Sequence, residues 1–126
     1  RVSVGLMIKS PNVYSPYPYL DLEDYMLFHI TAQHDHLTCG GVRSRREGNL
    51  AEFQKENGRY MEGTDKVKVL AVYVNNPAHR AMMIVEADDY ADINTFTNPF
   101  KDVGSCDVQL VGDAIAMRKD AGNWGL

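Results

Sequence analysis

The sequence predicts one α+β domain in the order βαββαβ, preceded by an extended arm. Three observations carry that prediction. Four runs rich in β-branched and aromatic residues, Tyr25–Gln33, Lys66–Val74, Arg80–Ala87 and Asp107–Met117, read as strands. Cap residues followed by partly apolar stretches lie between the first and second runs and between the third and fourth, where helices are expected. The chain of 126 residues, 44% hydrophobic and 24% charged, has the size and balance of a single folded core.

Residues 1–24 hold Pro11, Pro16 and Pro18 among Tyr14, Tyr17 and Tyr19, a mixture that blocks regular helix and reads as an extended arm. Within it Arg1–Ile8 is a candidate short strand. Rings at this density gain by packing on a surface, either their own domain or, the favoured reading, a neighbouring protomer. The domain proper spans 25–117. After the first strand, HDHLTCGGVR breaks the pattern with two glycines, and Ser44 with Glu47 matches a capping box, so the first helix is expected to start there and to end at Gly63 and Thr64. The short link Asn75–His79 joins the second and third strands as a hairpin. Asp88 or Asp89 caps a second helix from about Tyr90 to Phe96, which is expected to stop near Asn98-Pro99. Residues 118–126 form a polar tail whose Trp124 is expected to dock.

The βαββαβ order is that of ferredoxin-like domains, with a four-stranded antiparallel sheet in spatial order 4-1-3-2 and both helices on one face. The bare face is then expected to pack against a second copy, giving a sheet-to-sheet dimer or a higher homo-oligomer that encloses a cavity for a small-molecule ligand.

A net charge of −4 and a pI near 5.5 argue against nucleic acid, which needs clustered Lys and Arg. Arg43, Arg45 and Arg46 do cluster, and the helix start after Gly40-Gly41 is an alternative seat for a carboxylate, sulfate or phosphate. Otherwise they form a solvated face. No apolar run approaches the roughly 20 residues of a membrane span. Arg1–Ile8 lacks the features of a secretory signal, and two cysteines do not make a disulfide scaffold, so a cytoplasmic protein with free thiols is expected, one bridge being the alternative.

Alternation along the first strand puts Phe28, Ile30 and Ala32 toward the helices and Leu27, His29, Thr31 and Gln33 on the open face, where Met82, Ile84 and Glu86 join them from the third strand. His29 and Glu86 are therefore a candidate acid/base pair in the inter-sheet cavity, the alternative being a pair that only fixes the sheet register. The densest ligand cluster is His34, His36 and Cys39, in the loop leaving the first strand. Imidazole and thiolate suit iron, copper or zinc. The plain alternative is a polar loop that binds nothing. The fourth strand, antiparallel beside the first, is expected to begin where the first ends and to bring Cys106 near Cys39; with the first and third strands taken as parallel, Glu86 and Asp88 are expected at the same sheet edge, while His79 falls at the opposite edge.

The residues MLFHIT (Met26–Thr31), His34, Cys39, NNPAH (Asn75–His79) and IVEAD (Ile84–Asp88) resemble the dimeric α/β-barrel superfamily, and within it the small stand-alone domains that open with an MLxHxT strand. The resemblance covers Tyr25–Met117 and leaves the arm unmatched. It implies the fold and a ligand cavity between sheets; it does not imply one reaction, because the superfamily spans monooxygenases, cyclases, isomerases and haem-degrading enzymes. The expected function is a small-molecule enzyme, metal-assisted or cofactor-free, with oxygenase, isomerase or lyase chemistry. The alternative is a non-catalytic metal-binding or assembly subunit.

Overall fold

The structure is a computed structural model that describes residues 26–126; the expected arm, its candidate strand and Tyr25 lie outside the described residues. Four strands, β1 (Met26–His34), β2 (Lys68–Asn75), β3 (Arg80–Ala87) and β4 (Gly104–Val111), form one sheet. Neighbours run β2-β3-β1-β4, which is β4-β1-β3-β2 when named from the other edge, and every pairing is antiparallel. The expectation that β1 and β3 run parallel is thereby corrected: Leu27 lies opposite Glu86 and Gln33 opposite Arg80. Consequently β3 begins where β1 ends.

Period-two alternation decides the two faces. Phe28, Ile30 and Ala32 of β1 are buried, as are Met83, Val85 and Ala87 of β3, and all of these but Ala32 form one core with Tyr60, Ile93 and Phe96 from the helical layer. Ile30, Val85 and Ile93 are fully enclosed, each worth about 1.5–3 kcal/mol of transfer free energy. Aromatic contacts close this core, with the Tyr60 ring 5.5 Å from Phe96 and 4.4 Å from Phe100.

The helical layer departs from expectation in three places. The first helix, α1 (Gly40–Glu47), starts before the predicted capping box, because Cys39 is its N-cap. Ser44 is buried inside it, and its hydroxyl donates to the Gly41 carbonyl. Gly40 is part of the helix rather than a break, since a Cβ there would lie 2.5 Å from Phe53 Cε1. Gly48, at φ 76°, ends α1, and the chain continues as α2 (Leu50–Glu56) and the single turn α3 (Arg59–Glu62), which stops at Gly63 as expected.

Asp89 caps α4 (Tyr90–Phe96), its carboxylate accepting from the Ala91 amide at 2.8 Å. α4 ends at Phe96, as expected; beyond it Pro99 sits in the first turn of a further helix not expected from the sequence, α5 (Asn98–Val103), where a missing N–H costs nothing. The expected strand to Met117 ends at Val111 instead, because Asp113 caps α6 (Ala114–Asp120) and accepts from the Ala116 amide. Trp124 remains 55% exposed, with the Lys119 ammonium 4.8 Å from its ring centre. No helix among the described residues is long and apolar enough to cross a membrane.

Candidate metal centre at the end of β1

His34 is the last residue of β1 and continues the row Phe28, Ile30, Ala32 that faces the helices. The core ends one step earlier, so the ring stands at the rim of the apolar layer. Its Nε2 is buried and has no hydrogen-bond partner among the described residues. Such an orphaned polar atom costs about 1–3 kcal/mol unless a ligand satisfies it. Burial, then the neighbouring His79, holds the His34 pKa below the ordinary histidine value, with Asp35 opposing. A neutral imidazole is the form that binds metals.

The loop after His34 turns back on itself because Asp35 Oδ1 accepts from the amides of Leu37 and Thr38, at 2.8 and 3.2 Å. Those two bonds hold the Asp35 carboxyl below the usual carboxylate range. The turn delivers Cys39 as the N-cap of α1, where its Sγ accepts from the Val42 amide at 3.4 Å. A half-buried sulfur is thus returned to the end of the strand that the loop left.

The third residue comes from the β2–β3 hairpin. Asn75 Oδ1 accepts from the Ala78 amide and the Asn76 carbonyl from the His79 amide, which tightens the link. His79 sits at φ 55°, a left-handed conformation that is uncommon for a side chain of this size. Its carbonyl accepts from the His34 amide at 3.1 Å. Gln33 reinforces the junction, its amide nitrogen donating to the Ala78 carbonyl at 2.7 Å and the His34 carbonyl at 2.9 Å, while its oxygen accepts from Arg80 Nε at 2.8 Å.

These three supports bring His34, Cys39 and His79 together, with one ligand atom from each lying within 4.8 Å of the others, a group that could hold a metal ion. The two imidazoles meet edge to face, centroids 5.2 Å apart. The group opens into a cleft of about 420 Å³ between the α1–α2 pair and the ends of β2 and β3. Leu50, Phe53 and Val74 supply its apolar walls, and Arg45 of α1 and the start of β3 at Arg80 and Ala81 border it.

Of the residues expected in the metal set, His34 and Cys39 take part, whereas His36 is exposed in the turn and is not in the group. His79, expected at the opposite edge, is brought to the group by the antiparallel pairing of β1 with β3, and strand direction is the signal that finds it. The same pairing carries Glu86 and Asp88 away from the loop, to a shallow polar depression with Lys68 and Asp65. His29 and Glu86 do share the open face on adjacent strands, yet they are offset: His29 lies opposite Ile84, and Glu86 opposite Leu27. Both cysteines are free thiols; Cys106 pairs with Ala32 and packs against the core, where burial pushes its thiol pKa up. Of the arginine cluster, Arg45 alone lines the cleft.

No curated protein and no solved structure matches the chain. A protein-family comparison does, over residues 26–121, which takes in all four strands and every ligand of the candidate site. The chain belongs to the family described as Domain of unknown function (DUF3303).

Proposed function

We propose that this domain is a small-molecule enzyme whose chemistry is assisted by a transition metal held by His34, Cys39 and His79 at the mouth of the α1–α2 cleft. The observation that carries the reading is the buried His34 Nε2, without a hydrogen-bond partner among the described residues, beside a second imidazole and a thiol. Two imidazoles and one thiolate suit zinc or copper, and ferrous iron less well. Ligand atoms around a tetrahedral zinc lie about 3.3–3.7 Å apart, given Zn–N near 2.0 Å and Zn–S near 2.3 Å. The present 4.8 Å limit therefore asks for a small closure, within reach of side-chain torsions at a helix cap and a hairpin.

Three protein ligands leave a fourth position for water or substrate, the arrangement of catalytic rather than structural sites. The ion would polarise a bound carbonyl or activate water. Gln33, which hydrogen-bonds the backbone on both sides of the site, positions the hairpin that carries His79. The βαββαβ order and the MLFHIT strand support placing the chain with the dimeric α/β-barrel proteins; on that reading the open sheet face, with His29 and Glu86 on it, meets a second copy. The metal then sits on the helix side of the sheet and not in the inter-sheet cavity.

Elemental analysis of protein purified without chelator or affinity nickel tests the proposal. Near-stoichiometric zinc or copper is expected in the wild type, and loss of it in His34→Ala and His79→Ala. Absence of metal after equilibration of the wild type with zinc and with copper would refute it.

A further inference from the structure

We infer that the cleft beside His34, Cys39 and His79 takes an uncharged compound with an aromatic or branched alkyl body and one carbonyl or hydroxyl oxygen. This deepens the metal-site reading and rests on it only for the end of the cleft at which that oxygen is held.

The first argument is the walls. On the helix side of the sheet, β2 and β3 give the cleft Val74 and Ala81, which are opposite one another in the ladder. Leu50 and Phe53 of α2 line the same space. Two glycines admit the Phe53 ring. A Cβ on Gly40 would lie 2.5 Å from Phe53 Cε1, and one on Gly41 would lie 3.7 Å from Phe53 Cε2 and 3.7 Å from Cys39 Sγ. The ring is therefore drawn toward the start of α1, where it borders the approach to the ligand group. An aromatic wall favours a flat apolar body. At about 420 Å³ the space is at the small end of the roughly 300–1,000 Å³ of organic ligand pockets.

The second argument is charge. Among the described residues no Asp or Glu lines the cleft, so nothing there pairs with a cation. Arg80 borders it at the start of β3, but that residue lies opposite Gln33 on the open face, where its Nε donates to Gln33 Oε1. Its guanidinium thus serves the other side of the sheet. Arg45 is exposed on α1, and a single hydrated cation attracts an anion only weakly. An ionised ligand laid against these walls would lose hydration without gaining a partner, a far larger cost than an amide or hydroxyl meets. The neutral side chains Gln54 and Asn76, also on the lining, can bond such a group. The fourth position left by three protein ligands accepts an oxygen lone pair.

The test is ligand-observed NMR titration of the full chain with naphthamide, naphthoate and naphthylmethylamine, which share one ring body and are neutral, anionic and cationic at neutral pH. In the zinc-free chain naphthamide is expected to bind about tenfold tighter than either charged compound, and zinc to strengthen it further. Phe53→Ala should weaken naphthamide by about fivefold to tenfold, with thermal unfolding reporting whether that variant is folded. Val74 is 57% exposed, so Val74→Asp spares the core. It places a carboxylate in the wall and is expected to turn the preference toward naphthylmethylamine. Equal binding of the three compounds, preference of the wild type for a charged one, no binding of naphthamide at millimolar concentration, or an unchanged preference in Val74→Asp would overturn the inference. The two proposals separate cleanly. Zinc uptake without selection of the neutral compound removes this inference alone, and that selection in a chain that never takes up metal removes the metal alone.

Discussion

At His34 a nitrogen is withdrawn from water without a hydrogen-bond partner among the described residues, and its neighbours are two side chains well suited to share an ion with it. Burial separates two histidines that the sequence cannot. His36 lies two residues away and is exposed, so His36→Ala is expected to keep the wild-type metal content, while Cys39→Ser, which replaces a soft ligand by a hard one, should lower affinity by an order of magnitude or more in competition with a chelator. Equal loss in His36→Ala and His34→Ala would mean the loop binds metal in a different arrangement. Asp35 gives a pH test at the same scale. Its carboxyl is depressed by the Leu37 and Thr38 amides, so the turn's contribution is present above the usual aspartate range and lost as pH falls through the depressed folded value. Asp35→Asn should therefore flatten the acid limb of a plot of stability against pH, and an unchanged limb would show that the turn does not hold the loop.

Among the elements, β1, β3 and α4 were legible because local and tertiary signals agree there: alternation with burial in the two strands, and Asp89 with the start of α4. The misplaced elements are those where a residue's usual punctuation is overridden by its surroundings. Pro99 marks the stop of α4 correctly but also opens α5 in its first turn, and the apolar run after Asp113 reads as strand although that aspartate caps a helix. Gly40 reads as a break but makes room for the Phe53 ring. That last case yields a signed prediction. Alanine at Gly40 gains up to about 1 kcal/mol of helix propensity, against about 1–3 kcal/mol for the displaced ring. Gly40→Ala is expected to lower stability by about 1 kcal/mol in chemical denaturation, and to become neutral or stabilising in a Phe53→Leu background, where the clash is relieved. The same effect in both backgrounds would place the strain elsewhere. Of the site, His34 and Cys39 were legible as a dense local cluster, whereas His79, 40 and more positions along, depends on which way β3 runs.

At the scale of the whole molecule the sheet divides the chain's tasks between its two faces. The helix side carries the core and, beyond its end, the cleft with His34, Cys39 and His79. The other side presents Leu27, His29, Met82, Ile84 and Tyr73, a largely apolar row flanked by the polar Glu86 and Lys68. On the dimer reading this face meets its copy, and a charge at its centre should split the assembly without reaching the metal. Ile84 is the position to use, because it lies between His29 and Ala71 on the two neighbouring strands and is only half-buried within the chain. Sedimentation equilibrium is expected to show a dimer for the wild type and a monomer for Ile84→Lys, because burying an ammonium in a largely apolar face is costly. Metal content should be the same in both, since the ligands stand on the opposite face. A wild-type monomer would end the sheet-to-sheet reading and leave the helix-side site intact. A monomeric variant that also loses metal would show instead that the two faces are coupled through the sheet, and that assembly helps to shape the hairpin on which His79 is held.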